Sequence, residues 1–268
     1  MNTVKKLLLA IKMILKTPSI INLITNSEIR WEKYLAKKYS NKKQLPIVNI
    51  KELIPVNNSL DIFSFLGGSS LPTDILLLKE ICKKFSNCSY FEIGTWRGES
   101  VINVAQVAAT CYTLNLSKEE IMTMNLSEKY ADFHGYFSRN KENIIHLYGN
   151  SMTFNFTAIN KKFDVIFIDG NHHYDYVKND TTKVFKYLTH SESIVIWHDY
   201  ALHPEKIRND VLAGILDGTP RKFHTNLYHV SNTLCAIYYP KTLKSSNAIF
   251  PVKPDPIFSL KLHIKQDL

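Results

Sequence analysis

The stretch FDVIFIDGNHHYDYVKND, residues 163–180, changes character twice. Val165–Ile168 is an unbroken apolar run that stops at Asp169-Gly170. A polar turn follows with two histidines, His172 and His173, and from Tyr174 the spacing becomes helical, continuing through YDYVKNDTTKVFKYL (174–188). A short apolar run without alternation, closed by Asp-Gly and followed by a helix, reads as a strand buried on both faces that feeds a crossover. The same unit recurs on either side. SYFEIG (89–94) precedes the helical ESVINVAQVAA, and CYTLNL (111–116) precedes a helical stretch over 117–131. NIIHLYG (143–149) precedes SMTFNFTAIN, a helix or turn, and SIVIWHDY (193–200) precedes the helical PEKIRNDVLAGILDG (204–218). KFHTNLYHV (222–230) and TLCAIYYP (233–240), parted by Ser231-Asn232, read as a hairpin. The expected fold is α/β: a doubly wound, mostly parallel, seven-stranded Rossmann-like sheet closed by an antiparallel hairpin.

Outside this core the chain differs. Within VKKLLLAIKMILKTPS, residues Val4, Leu7, Leu8, Ile11, Ile14 and Leu15 share one helical face and Lys5, Lys12 and Lys16 another; Pro18 ends the segment. Lys12 interrupts the apolar run and no small-residue cleavage site follows, unlike a signal peptide. SEIRWEKYLAKKYSNKK (27–43) reads as a second helix capped by Ser27. Residues 44–70 read as irregular, and PTDILLLKEICKKF (72–85) as a helix with Pro72 near its start. The expected organisation is a helical N-terminal extension with linker over 1–69, one domain over 70–240 and a C-terminal arm over 241–268. The net charge of +9 is concentrated at the ends, with ten basic residues against two glutamates in 1–43. Nucleic-acid enzymes carry their basic stripe on the folded domain, so this distribution argues against nucleic acid. It leaves two readings of the first helix: a peripheral contact with an anionic membrane surface, or packing on its own domain or a second subunit. No apolar run is long enough to span a bilayer. Cys82, Cys88, Cys111 and Cys235 form no C-x-x-C pair and read as reduced, buried thiols, which suits the cytoplasm.

In an open doubly wound sheet, ligands bind beyond the carboxyl ends of the strands. Those ends carry Glu92-Ile93-Gly94, Asn115, Gly149-Asn150-Ser151, Asp169-Gly170 and His198-Asp199. FEIGTWRGES spaces Glu92, Gly94 and Gly98 as E-x-G-x-x-x-G. This is neither the nicotinamide fingerprint nor a phosphate loop, and an acid at 92 suits a cationic amino group better than a pyrophosphate. Glycine at 94 lets backbone approach a ligand, and Gly98 opens a helix.

Together these residues resemble the class I S-adenosylmethionine-dependent methyltransferases, over about residues 70–240. The D-G-x-H-x-Y pattern of IDGNHHY and the H-D pair of IVIWHDY resemble the branch with small-molecule and macrolide-sugar O-methyltransferases and cephalosporin-hydroxylase-like proteins. The resemblance implies that Glu92, Gly94, Thr95 and Gly98 hold the amino-acid end of S-adenosylmethionine, with Asn150 and Ser151 near its adenine and Asp169 facing the methyl-transfer centre. It also implies a divalent cation such as Mg²⁺ on Asp169, Asp199 and His198, and His172 as the base, with His198 beside it. Asn115 and Asn150 stand where the family usually has acids. Each exchange of a carboxylate for a carboxamide loses charge assistance worth about 1 kcal/mol. The implied function is O-methylation of a small hydroxylated acceptor such as a sugar or glycolipid precursor. Two other readings stay open: a non-catalytic binding or scaffold protein on this fold, and a hydroxylase-like oxidative enzyme, for which no further ligands stand out.

Overall fold

The structure, a computed structural model, describes residues 2–21, 28–40, 42–55, 57–247 and 249–264. The expected cap Ser27 lies outside them. The chain divides into two compact units, one ending at Lys43 and one starting at Gln44.

The first unit is helical. α1, Thr3–Lys16, begins at Asn2, whose side-chain oxygen accepts from the backbone N–H of Lys5 at 3.0 Å. It ends at Thr17, just before Pro18. α2, Glu28–Lys38, follows the helical spacing read from the sequence, with an acid in its first turn and two lysines in its last.

The second unit is built on a sheet of β1 (Ile47–Val48), β2 (Ser89–Ile93), β3 (Thr110–Asn115), β4 (Ile144–Tyr148), β5 (Val165–Ile168), β6 (Ile194–Trp197), β9 (Leu227–Val230) and β10 (Ala236–Tyr238). Their order is β1-β9-β10-β6-β5-β2-β3-β4, and only β10 runs antiparallel to its neighbours. This is the expected doubly wound, mostly parallel Rossmann-like sheet closed by an antiparallel hairpin, with eight strands rather than seven. The eighth, β1, lies in the segment read as irregular. Two residues show no periodicity, and what secures them is tertiary: Ile47 and Ser246 exchange backbone hydrogen bonds at 2.8 and 2.9 Å, and the N–H of Leu45 donates to the buried hydroxyl of Tyr200. The compact unit therefore starts ahead of residue 70. It also holds part of the expected arm, since Asp255 pairs with Lys51 and its carbonyl accepts from Asn232.

The helices of this unit are α3 (Pro72–Cys82), α4 (Glu99–Val104), α5 (Lys118–Thr123), α6 (Glu128–Asp132), α7 (Tyr174–Lys183) and α8 (Asn209–Gly218). The single helix expected over 117–131 is two, because Asn125 turns left-handed at φ 61° and Ser127 starts a new helix by accepting from the N–H of Tyr130. The helix expected from 204 begins at Asn209, because Ala201–His203 (β7) and Lys206–Ile207 (β8) pair as a small separate hairpin around Pro204. The strand expected from 222 begins at Leu227, after a 3₁₀ stretch. All four cysteines are free and buried.

Alternation along the strands divides the core. Val165, Phe167, Ile194 and Ile196 join Leu77, Leu78 and Ile81 of α3 in one cluster. Trp197 is fully buried and donates its indole N–H to Thr181 of α7 at 2.8 Å. Among the described residues, no helix is long and apolar enough to cross a membrane.

Candidate active site

The register of three strands assembles the site. Ile93 pairs with Ile168, and Ile168 with Trp197. The residues that follow, Gly94, Asp169 and His198, therefore leave the sheet side by side at its carboxyl edge. Leu114 pairs with Ile93, and Asn115 with Tyr148, so Asn115 and the 149–151 loop open on the same edge. The chain moves outward from β2 to β4 and returns to β5 on the other side of β2. Gly94 and Asp169 thus flank the point where the winding reverses, the place for a ligand in such sheets.

Asp169, His198 and Asp199 form one cluster, with ligand atoms all within 4.8 Å of one another. His198 Nδ1 lies 3.1 Å from Asp169 Oδ1 and 3.5 Å from Asp199 Oδ2. Neither carboxylate is in line for a hydrogen bond, so this buried nitrogen has charge beside it but no aligned partner. The other nitrogen, Nε2, lies 3.1 Å from Oδ2 of Asp74. Asp74 is fully buried in the first turn of α3 and accepts from the backbone N–H of Leu71 at 2.7 Å and of Leu234 at 2.8 Å. Asp199 sits at φ 54°, a left-handed conformation of the kind that concentrates at functional sites. A small cavity of about 10 Å³ is lined by Asp169, Asn171, His172, Val177, His198 and Asp199, among others. That is room for one water or one ion.

The charges are mutually dependent. Burial works to lower the His198 pKa, but Asp169 first, then Asp199 and Asp74, hold it well above the ordinary histidine value. Burial raises Asp169, and His198 offsets part of the rise. Burial also works to raise Asp199, yet His198 keeps it below its usual value. The carboxylates therefore favour the imidazolium form of His198 when nothing else occupies the cluster, and an imidazolium has no lone pair to take a proton. His172 differs: burial, with Arg208 next, pushes it down, so it is neutral and able to accept. His173 is exposed and starts α7.

The expected cofactor residues fall into three groups. Glu92 lies in the core behind the loop. It is fully buried, accepting from Thr113 Oγ1 at 2.8 Å, Ser100 Oγ at 2.8 Å and Tyr90 OH at 2.9 Å. Burial pushes its pKa up to about 8, which favours the neutral form at pH 7. Thr95 is likewise turned inward, onto Thr113. Gly94 and Gly98 shape the loop. Gly94 has φ +96°, and a Cβ there would stand 2.0 Å from the carbonyl oxygen of Asp169, so the close approach is to this neighbouring strand's backbone. Gly98, at φ +83°, opens α4 as expected. Asn115, Asn150 and Ser151 are half-buried on the open edge. Asn115 Nδ2 donates to His134 Nδ1 at 2.7 Å, and Asn150 Oδ1 accepts from the N–H of Met152 at 2.9 Å.

Two features escaped the sequence reading. Asp74 looks there like an ordinary acid at a helix start. The 63–71 segment is pinned to the loop after β2: Arg97 donates to the carbonyl of Gly67 at 3.1 Å and to Ser69 Oγ at 2.7 Å, while Glu99 accepts from the N–H of Ser64 at 2.8 Å. The segment thus runs from that loop to α3 and the His198 contact.

Residues 91–200 match a family model described as a methyltransferase domain, a span running from β2 through β6 to Tyr200. No curated protein matches the chain. Among solved structures, the O-methyltransferase from Bacillus cereus in complex with S-adenosylhomocysteine aligns over 79% of this chain and 99% of its own, at 15% identity and a TM-score of 0.42. The S-adenosylhomocysteine-bound methyltransferase PaMTH1 from Podospora anserina aligns over 64% and 80%, at 13% identity and a TM-score of 0.43. Other matches cover about half of the matched chain, such as 46% of the Methanococcus jannaschii fibrillarin pre-rRNA processing protein, at 16% identity and a TM-score of 0.34. Likeness at this level says nothing of substrate. The family model spans less than half of the chain, from β2 to the residue after Asp199.

Two outcomes test this geometry. Asp74→Ala leaves a buried imidazole and two backbone N–H groups without their acceptor. It should lower the unfolding free energy by about 3–5 kcal/mol in urea titrations. For Glu92 the sign follows from its raised pKa. Between the unfolded value, about 4.3, and the folded one the native chain holds a proton that the unfolded chain has released. Stability should therefore fall as pH rises through that window, by at most about 1.4 kcal/mol per pH unit. Glu92→Gln should show a shallower loss than the parent in urea midpoints taken across the same range; parallel profiles would mean that Glu92 is already ionised in the fold.

Proposed function

We propose that the protein transfers a methyl group from S-adenosylmethionine to a hydroxyl of a small acceptor, such as a sugar or glycolipid precursor. The observation that carries this reading is the convergence of Asp169, His172, His198 and Asp199 around one small cavity at the carboxyl edge, beside the winding reversal. S-adenosylmethionine supplies an electrophilic methyl on a sulfonium sulfur. The chain must hold the acceptor oxygen in line with that methyl, take the hydroxyl proton and keep water away. His172, neutral and on the cavity wall, accepts the proton at a ring nitrogen. Asp169, at the edge beside Gly94, offers negative charge near the sulfonium. Asn115 has committed its amide nitrogen to His134, so a ribose hydroxyl there would donate to the amide oxygen.

A divalent cation fits the residues present. Asp74 takes the Nε2 side of His198 and so aims the unaligned Nδ1 between two carboxylates, an arrangement typical of metal-bound histidines, whose second nitrogen is oriented by a carboxylate. Asp169, His198 and Asp199 would hold it. Its chemistry there would be to lower the pKa of the acceptor hydroxyl.

Calorimetric titration with S-adenosylhomocysteine should show micromolar binding, abolished in Gly94→Val, where the added side chain drives into the Asp169 backbone. No heat and no thermal shift at saturating ligand would favour the non-catalytic reading. Given an acceptor from a screen of hydroxylated sugars, His172→Ala should cut turnover by about 10²–10⁴ while leaving S-adenosylhomocysteine affinity unchanged. Full activity in that variant would remove His172 from the reaction.

A further inference from the structure

The catalytic reading leaves α1 unexplained. None of its residues is buried. Val4, Leu7, Leu8, Ile11 and Leu15 are between 46% and 77% exposed. At the helical turn of about 100° per residue, these five and Ile14 fall within an arc of about 120°. Lys5, Lys12 and Lys16 follow along one flank of that arc, a position from which lysine stems can cover apolar surface while the ammonium groups stay in water. The helix has no acidic residue. At 14 residues it is about 21 Å long, too short to cross a bilayer core of about 30 Å but ample to lie along its surface.

We propose that α1 docks flat on an anionic phospholipid surface, with the apolar stripe among the acyl chains and the lysines against the headgroup phosphates. Charge complementarity selects this occupant over a second copy of the chain. Pairing two α1 stripes would bring two sets of lysines together without a compensating acid on either helix. An anionic bilayer satisfies the apolar face and the ammonium groups at once. The basic excess continues through α2 and after it, with Arg30, Lys33, Lys37, Lys38, Lys42 and Lys43 against Glu28 and Glu32, and extends the same attraction.

The test is co-sedimentation of the full chain with phosphatidylcholine vesicles, with and without a one-third share of phosphatidylglycerol, at low and high salt. Binding is expected only to the anionic vesicles and should weaken with salt. Lys12→Gln combined with Lys16→Gln should reduce binding by about tenfold or more, and Leu7→Glu with Leu8→Glu should abolish it. These side chains are exposed, so the variants should unfold in urea like the parent. Equal binding to neutral vesicles, no binding to either kind, or full binding by the leucine variant would each overturn the proposal. So would a parent dimer that the leucine variant converts to monomer without any vesicle binding, which would make the occupant a second copy.

Discussion

The pairing of Ile93 with Ile168 and of Ile168 with Trp197 is the constraint on which the rest depends. Strand side chains alternate, so a slip of one residue would turn every side chain of the moved strand to the other face. A slip in β5 would send Phe167 out of the α3 cluster. At the same time it would separate Asp169 from His198, because both leave their strands one residue past the paired ends. Core packing and site assembly are thus enforced by the same hydrogen-bonded ladder. The Gly94 approach to the Asp169 carbonyl adds a second check, since any other residue at 94 would force the two strand ends apart.

Around that edge the chain gathers buried and half-buried charge. Three carboxylates surround one imidazole, and a fourth, Glu92, lies buried beneath them among hydroxyls. The two clusters resolve burial differently. Glu92 gives up its charge. His198 keeps its charge because Asp169, with Asp199 and Asp74, surrounds it, and Asp74 is held in place by two backbone N–H groups. A rigid acceptor behind the ring leaves the front nitrogen as the only adjustable position in the cluster. That is what a site needs if its ring is to exchange a proton for another cation.

The sheet was legible from sequence because buried parallel strands read as apolar runs and their crossovers as helices. The edge residues were legible because the fold places ligands at strand ends, and Asp169, His172, His198 and Asp199, read at those ends, line one cavity. Less local features were not. β1 is held by Ser246 and Tyr200 partners far along the chain, which no window over 44–70 contains. Asp74 is 124 residues from His198, and its immediate neighbours describe only a helix start. Glu92 did carry a signal that went unused: it shares a strand face with Tyr90, and the hydroxyls of Tyr90, Ser100 and Thr113 form a polar set that marks an internal network.

The two borders of the sheet are built unequally. On one side β1 is two residues long and is already bridged by Ser246, so an incoming strand finds almost no ladder to extend. On the other side β4 runs for five residues and leaves Ile145 and Tyr148 in solvent. Proteins commonly blunt such borders by shortness, charge or cover. Here shortness and cover protect the border farther from the winding reversal. The β4 border, which shares its loop with Asn150, is the side on which misassembly between chains has the most to grip.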